Sequence, residues 1–193
     1  MLYIMSFLND TKNFGLVIAV LGLFEVISAV IGFVNSVSLG AAGALIAGLL
    51  VLLAGFGIYK KSLPAFMTKL FPEGIDSKFG VLTGMMFTVS VAQIIACILA
   101  FNIGGLVAPI ILMILALVIT NDKKNAFDKI IWILLVIIAV IAALTGFMGL
   151  FAISGNGILE IAAVALTAVA RALMYFMLLF YLLDSGVKKK FGM

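Results

Sequence analysis

Three charged residues stand inside apolar stretches of this 193-residue chain, Glu25, Arg171 and, nearer a helix end, Glu160. A carboxylate or guanidinium at the centre of a membrane helix costs on the order of 2.5–3.5 kcal/mol on insertion scales. Such groups are expected to face a bundle interior and find partners. A guanidinium and a carboxylate match as a planar fork with two parallel hydrogen bonds. Glu25 lies 13 residues from Lys12, and Arg171 lies 13 residues from Asp184. At 1.5 Å per helical residue, both sit roughly 20 Å from the lysine-bearing boundary. Glu25 and Arg171 are expected to form an ion pair between the first and last apolar helices.

Other polar residues share that level. Gln93 is 15 residues from Lys78. Ser28 is one turn from Glu25, and Thr167 is one turn from Arg171. Glu160 lies further along the same broad helical face, 160–164–167–171–175, which ends in Tyr175. Glu25, Gln93, Arg171, Thr167 and Glu160 therefore form a candidate polar core. Two readings stand open. The cluster is a binding site for a small ion or zwitterion, or a proton-responsive switch through Glu25. Or it is a structural staple that fixes helix order. Breaking a buried pair at one partner typically costs about 3–5 kcal/mol.

Most enzyme chemistry is excluded by composition. Histidine is absent, which removes the usual general base near neutral pH and the commonest metal ligand. One cysteine, Cys97, allows neither an intrachain disulfide nor a thiolate cage. Phosphate-binding, dinucleotide, nucleophile-elbow and zinc-protease motifs are all missing. The expectation is a non-enzymatic protein with no cofactor and no metal. Net charge is +4. It falls in short loops between apolar segments and so points to membrane orientation, with no nucleic-acid partner.

The elements that must position the cluster follow from hydropathy. The chain is 66% hydrophobic and 10% charged, with mean hydropathy +1.39. Soluble domains average about 45–50% apolar and about 25% charged. Six continuous apolar runs stand out: 14–34, 39–59, 79–101, 103–119, 130–153 and 158–183. Spanning the hydrocarbon takes about 20 residues. Unbroken runs favour helices over the alternation of a β-barrel. The expected fold is an all-α integral membrane protein with six transmembrane helices in three hairpins, forming one domain over residues 1–193.

The breaks are of two kinds. Residues 35–38, 102–105 and 154–157 are small and uncharged, rich in Asn, Gly and Ser. The other breaks carry all eleven lysines: 12, 60, 61, 69, 78, 123, 124, 129, 188, 189 and 190. The positive-inside rule makes that side cytoplasmic, with both termini there. Glu25 and Asp10 argue against reading the first run as a cleaved signal peptide. Pro109 predicts a kink in the fourth run. Residues 62–72 read either as an interfacial amphipathic helix, with Ser62 as cap, or as a connector packed on helix ends. Met1, Ile4, Met5 and Leu8 form a shorter stripe of the same kind. Gly40, Ala44 and Gly48 make a small-residue face for helix packing, within the chain or between subunits. Trp132 and Tyr59 read as interfacial anchors.

The three hairpins share a weak repeat, seen in Lys12-Asn13-Phe14-Gly15 against Lys78-Phe79-Gly80. The stretches Gly15–Gly22 and Gly43–Gly55 resemble the short repeat of HdeD-type membrane proteins, most clearly over residues 14–58. That resemblance implies six helices in three hairpins and a role in acid or stress resistance, with no defined catalytic residues. The first expectation for function is thus a polytopic cell-membrane protein of stress resistance or intramembrane interaction. Its partners would be the bilayer and a second copy or another membrane protein. The alternative is a small-solute transport subunit with a polar site at the bundle midplane.

Overall fold

The computed structural model describes residues 6–121, 127–151 and 157–193. Its long helices are α1 (Thr11–Asn35), α2 (Leu39–Lys60), α3 (Lys78–Leu99), α5 (Asp128–Phe151) and α6 (Ile158–Leu182). These five are long and apolar enough to cross a membrane. No strand occurs among the described residues. The fourth apolar run is shorter than expected. A 3-10 turn at Gly104–Leu106 leads into α4 (Val107–Ile119), of only 13 residues. A short amphipathic helix, α7 (Ser185–Lys190), follows α6.

The ends of these helices are written in the sequence. Asp10, Ser38, Ser77 and Asp184 each accept a hydrogen bond from a backbone amide at the start of α1, α2, α3 and α7. Ser36–Ser38 alone separate α1 from α2, the tight uncharged turn the composition predicts. Pro109 does not kink a helix. It sits in the first turn of α4, where its missing amide hydrogen costs nothing. The third small turn, 154–157, and Lys123 and Lys124 lie outside the described residues, apart from Gly157. So do Met1, Ile4 and Met5, whereas Leu8 is buried.

The outer surface is apolar. Along α1, Leu16, Val20, Leu23, Ile27 and Val30 are exposed at intervals of three or four residues. Water would penalise such a stripe, and lipid accommodates it. The molecule is a multi-pass helical bundle of the membrane type. Its helices neighbour one another in a ring: α1 packs on α2 and α6, α2 on α3, α3 on α4, and α6 on α5. The seam between α4 and α5 is the loosest joint, and α3 and α6 approach each other across the middle.

Small residues bring α1 and α2 into close contact. A Cβ on Gly55 would lie 2.3 Å from the Ala19 amide nitrogen, and one on Gly22 would lie 2.4 Å from that of Leu52. These contacts are tighter than those of the Gly40-Ala44-Gly48 face read from the sequence. That face divides: Gly48 touches the α1 backbone at Glu25 and Val26, Gly40 lies beside Ala100 after α3, and Ala44 lines a cavity.

One end of the bundle collects the described lysines. Lys12 and Lys60 lie over the Tyr59 ring, Lys188 over Trp132, and Lys190 over Phe79. Trp132 also donates to the Leu182 carbonyl at 2.9 Å, tying α5 to the end of α6. The interior there is solid. Phe14 stacks on Tyr181 at 3.9 Å between ring centres, among buried Ile18, Ile58, Leu82 and Met85. The 61–78 connector closes this end. It forms turns and a 3-10 helix at Thr68–Leu70 instead of a continuous amphipathic helix over 62–72. Met67 and Phe71 are buried, and the Phe71 ring lies where a Cβ on Gly84 would be. Met67 and Phe71 of the apolar stripe thus turn inward onto helix ends, while Phe66 stays exposed.

Lys78, the first residue of α3, clasps two other elements. Its Nζ donates to Asn9 ahead of α1 and, at 2.5 Å, to the Asp184 carboxylate after α6. Partial burial acts to raise the Asp184 pKa. The Lys78 hydrogen bond and charge and the Gly186 and Val187 amides outweigh it, so the carboxyl titrates below its ordinary 3.8. A lowered carboxyl pKa stabilises the folded state above the ordinary value and ceases to as pH falls through the folded one.

Two outcomes follow from this packing. Gly55→Leu should destabilise the purified protein by about 1–3 kcal/mol through overpacking, whereas Gly32→Ala, which meets nothing within 4 Å, should not; SDS unfolding checks both. Asp184→Asn should cost on the order of 1 kcal/mol near neutral pH after solvent screening. Its gap from the parent should close as pH falls below 3.8, measured as the difference between the two unfolding midpoints.

Candidate functional site: a polar cavity between four helices

The half of the bundle away from the lysines is loosely packed. A cavity of about 230 Å³ lies between α1, α2, α3 and α6. It runs from mid-helix, at Val51 and Val89, outward to Gly32 and Ala41. Small side chains make the space: Ala41, Ala44 and Ala47 from α2, and Ala92 and Ala96 from α3. Polar groups come from the other walls. α1 supplies Glu25 and Ser28, α3 Gln93, and α6 Thr167, Arg171 and Tyr175.

Four of the five polar residues expected from the sequence therefore meet on one cavity: Glu25, Gln93, Thr167 and Arg171. Glu160 does not. It sits in the first turn of α6, where the helix dipole favours a carboxylate. The expected direct ion pair is not formed. No Glu25 oxygen lies within 4.0 Å of an Arg171 nitrogen. Among the described residues that distance is met by Lys78 and Asp184. Glu25 is half-buried and Arg171 exposed. They interact through space across the cavity.

One turn away, α1 and α6 are linked by other groups. Ser28 Oγ donates to the Ala163 carbonyl at 2.8 Å and lies 2.6 Å from Thr167 Oγ1. The Ser28 hydrogen is used on the carbonyl, so Thr167 is the donor to Ser28. This chain joins α1 to α6 without help from the charges. Gly48 meanwhile seats α2 against the backbone of Glu25 and Val26. Glu25 stands on the α1 wall of the cavity and Arg171 on the α6 wall.

Tyr175 closes the deep side. Its hydroxyl accepts a hydrogen bond from Gln93 Nε2 at 3.0 Å, linking α3 to α6. The sequence places Tyr175 on the correct face of α6. The missed signal is its depth: a tyrosine well inside a span is too far from the interface to be an anchor. Beyond this pair lies a second cavity of about 210 Å³, between α3, α4, α5 and α6. Apart from Gln93 and Tyr175 it is walled by Ala108, Leu112, Ile138, Ile141 and Ala142.

Among the described residues no group of three or more acidic or thiol side chains could hold a metal ion. The chain matches no family model, no curated protein and no solved structure.

The hydroxyls on α6 should separate by partner. Tyr175→Phe removes the acceptor of Gln93 and should cost roughly 0.6 kcal/mol and at most about 1.7, the range for interhelical hydrogen bonds in membranes. Tyr181→Phe removes a buried hydroxyl with no partner and should be neutral or stabilising. Unfolding midpoints of the two variants, with a Gln93→Met double-mutant cycle for Tyr175, measure this contrast.

Proposed function

We propose that this protein is a six-crossing membrane protein that binds a small charged or zwitterionic solute inside the bilayer, as a transport or binding subunit. The observation that carries the reading is the placement of Glu25 and Arg171 on one cavity without direct contact. A purely structural pair gains most by closing, since each uncompensated charge is costly in hydrocarbon. Two polar side chains held apart over open space are available to a third party. Hydroxyl and amide groups beside them offer donors and acceptors at fixed positions. Fixing these partners on helices is what a binding site requires.

The orientation follows from the lysines. The lysine-bearing end, with both termini, is cytoplasmic, and the cavity occupies the outer half. α4 with its 3-10 lead, Gly104–Ile119, completes the sixth crossing. The short span is accommodated by local thinning or by its neighbours. In the competing reading, an intramembrane interaction protein of the HdeD type, the charges form a staple and the core is dry.

Cysteine labelling distinguishes the two. In a Cys97→Ala background, Ala44→Cys on the cavity wall should react in intact cells with a membrane-impermeant thiosulfonate. Ser62→Cys, exposed at the lysine end, should react only after permeabilisation. An unreactive Ala44→Cys in a folded protein, with Glu25→Gln/Arg171→Gln more stable than either single variant, would select the staple instead.

A further inference from the structure

The two cavities differ in chemistry and share a wall. The central one presents Glu25, Arg171, Ser28 and Thr167. The lateral one is apolar except for Gln93 and Tyr175, which line both. Their hydrogen bond stands at the partition, 3.0 Å long and between two side chains. It can open by rotamer change and be replaced by bonds to an oxygen-bearing ligand.

The lateral cavity does not suit water. Its own walls offer no polar partner besides that pair, and a buried water needs two to four. Left empty, an apolar space of about 210 Å³ would forfeit packing along its whole lining. The site is placed to receive hydrocarbon. It lies at the α4–α5 seam, the loosest joint of the ring. Ala108 and Ile141 at its edge are exposed on the lipid-facing surface. A chain from the bilayer enters there without crossing a polar barrier.

We propose that the two cavities together hold one zwitterionic amphiphile drawn from the membrane. Its head occupies the central cavity, with the cationic group towards Glu25 and the anionic group towards Arg171. Gln93 and Tyr175 bond the linkage between head and chain. Its alkyl chain fills the lateral cavity and leaves through the α4–α5 seam. The proposal rests on the reading of the central cavity as a binding site, and it names the ligand class.

The experiment uses the full-length protein, delipidated in a non-ionic maltoside detergent. Thermal stability and native mass spectrometry are read with three probes: lysophosphatidylethanolamine, glycerophosphoethanolamine and lysophosphatidylglycerol. The first carries the zwitterionic head and a chain, the second the head alone, the third a chain on an anionic head. The expected result is a one-to-one adduct and a raised melting temperature with the first probe, at least tenfold tighter than with either other. Glu25→Gln should abolish the preference over lysophosphatidylglycerol. Ala142→Phe, which fills the lateral cavity, should abolish the adduct. Ile138→Phe provides a second filling variant should Ala142→Phe not fold. Equal binding of glycerophosphoethanolamine and the lysolipid would overturn the amphiphile while leaving a solute site intact. Unchanged lysolipid binding in a folded filling variant would overturn it too. No adduct with any probe would overturn it as well, and the cysteine labelling then tells whether the solute reading stands.

Discussion

Within hydrocarbon, burying an apolar side chain gains nothing over leaving it in lipid, so the hydrophobic effect does not hold these helices together. Close backbone approach and interhelical hydrogen bonds must do so. The structure follows from where those are available. α1 and α2 meet at Gly22 and Gly55 with almost no side chain between them. α5 and α6 meet at Gly146 and Ala172 in the same way. Ser28, Thr167 and the Ala163 carbonyl join α1 to α6. Trp132 joins α5 to the Leu182 carbonyl. Where large apolar residues fill the gap, at the lysine end, the bundle is solid. Where α2 and α3 present alanines to a polar residue of another helix, it is not, and the cavity is the result.

The parts of this fold legible in the sequence are those that depend on local composition. The long spans fall within three residues of the apolar runs at each described end. Capping residues mark several starts. The exceptions are also physical. The fourth run reads as a span, the shortest of the six, but Gly104 and Gly105 spoil its first turn and α4 begins just ahead of Pro109. The 62–72 stripe has helical spacing, yet Gly84 on α3 offers a seat for Phe71, and tertiary contact overrides the periodicity. The clasp at Lys78 joins Asn9 and Asp184 across most of the chain, and no local pattern announces it.

The candidate site shows the same division. Counting residues from the boundary gives depth along the bundle axis, and depth sufficed to gather Glu25, Gln93, Thr167 and Arg171. It does not give the separation of two helices at that depth. Whether two side chains at that depth meet depends on the space around them, here a cavity lined by Ala44, Ala47 and Ala92. The pairing of Glu25 with Arg171 was therefore readable as proximity and not as contact. The lateral cavity was not readable at all, because it arises from how loosely α4 meets α5.

The clasp and the cavity together impose an order on biosynthesis. α1 and α2 are adjacent in sequence and can pair as soon as both have entered the membrane. The fourth wall of the cavity is α6, and Ser28 finds Thr167 and Ala163 only when that helix arrives. Until then Glu25 has no cation near its own depth, and the Lys78 ammonium has no Asp184. A ribosome that stalls before α6 leaves an intermediate whose Glu25 cavity lacks one wall. That is a mark by which membrane quality control can tell an unfinished copy from a closed one.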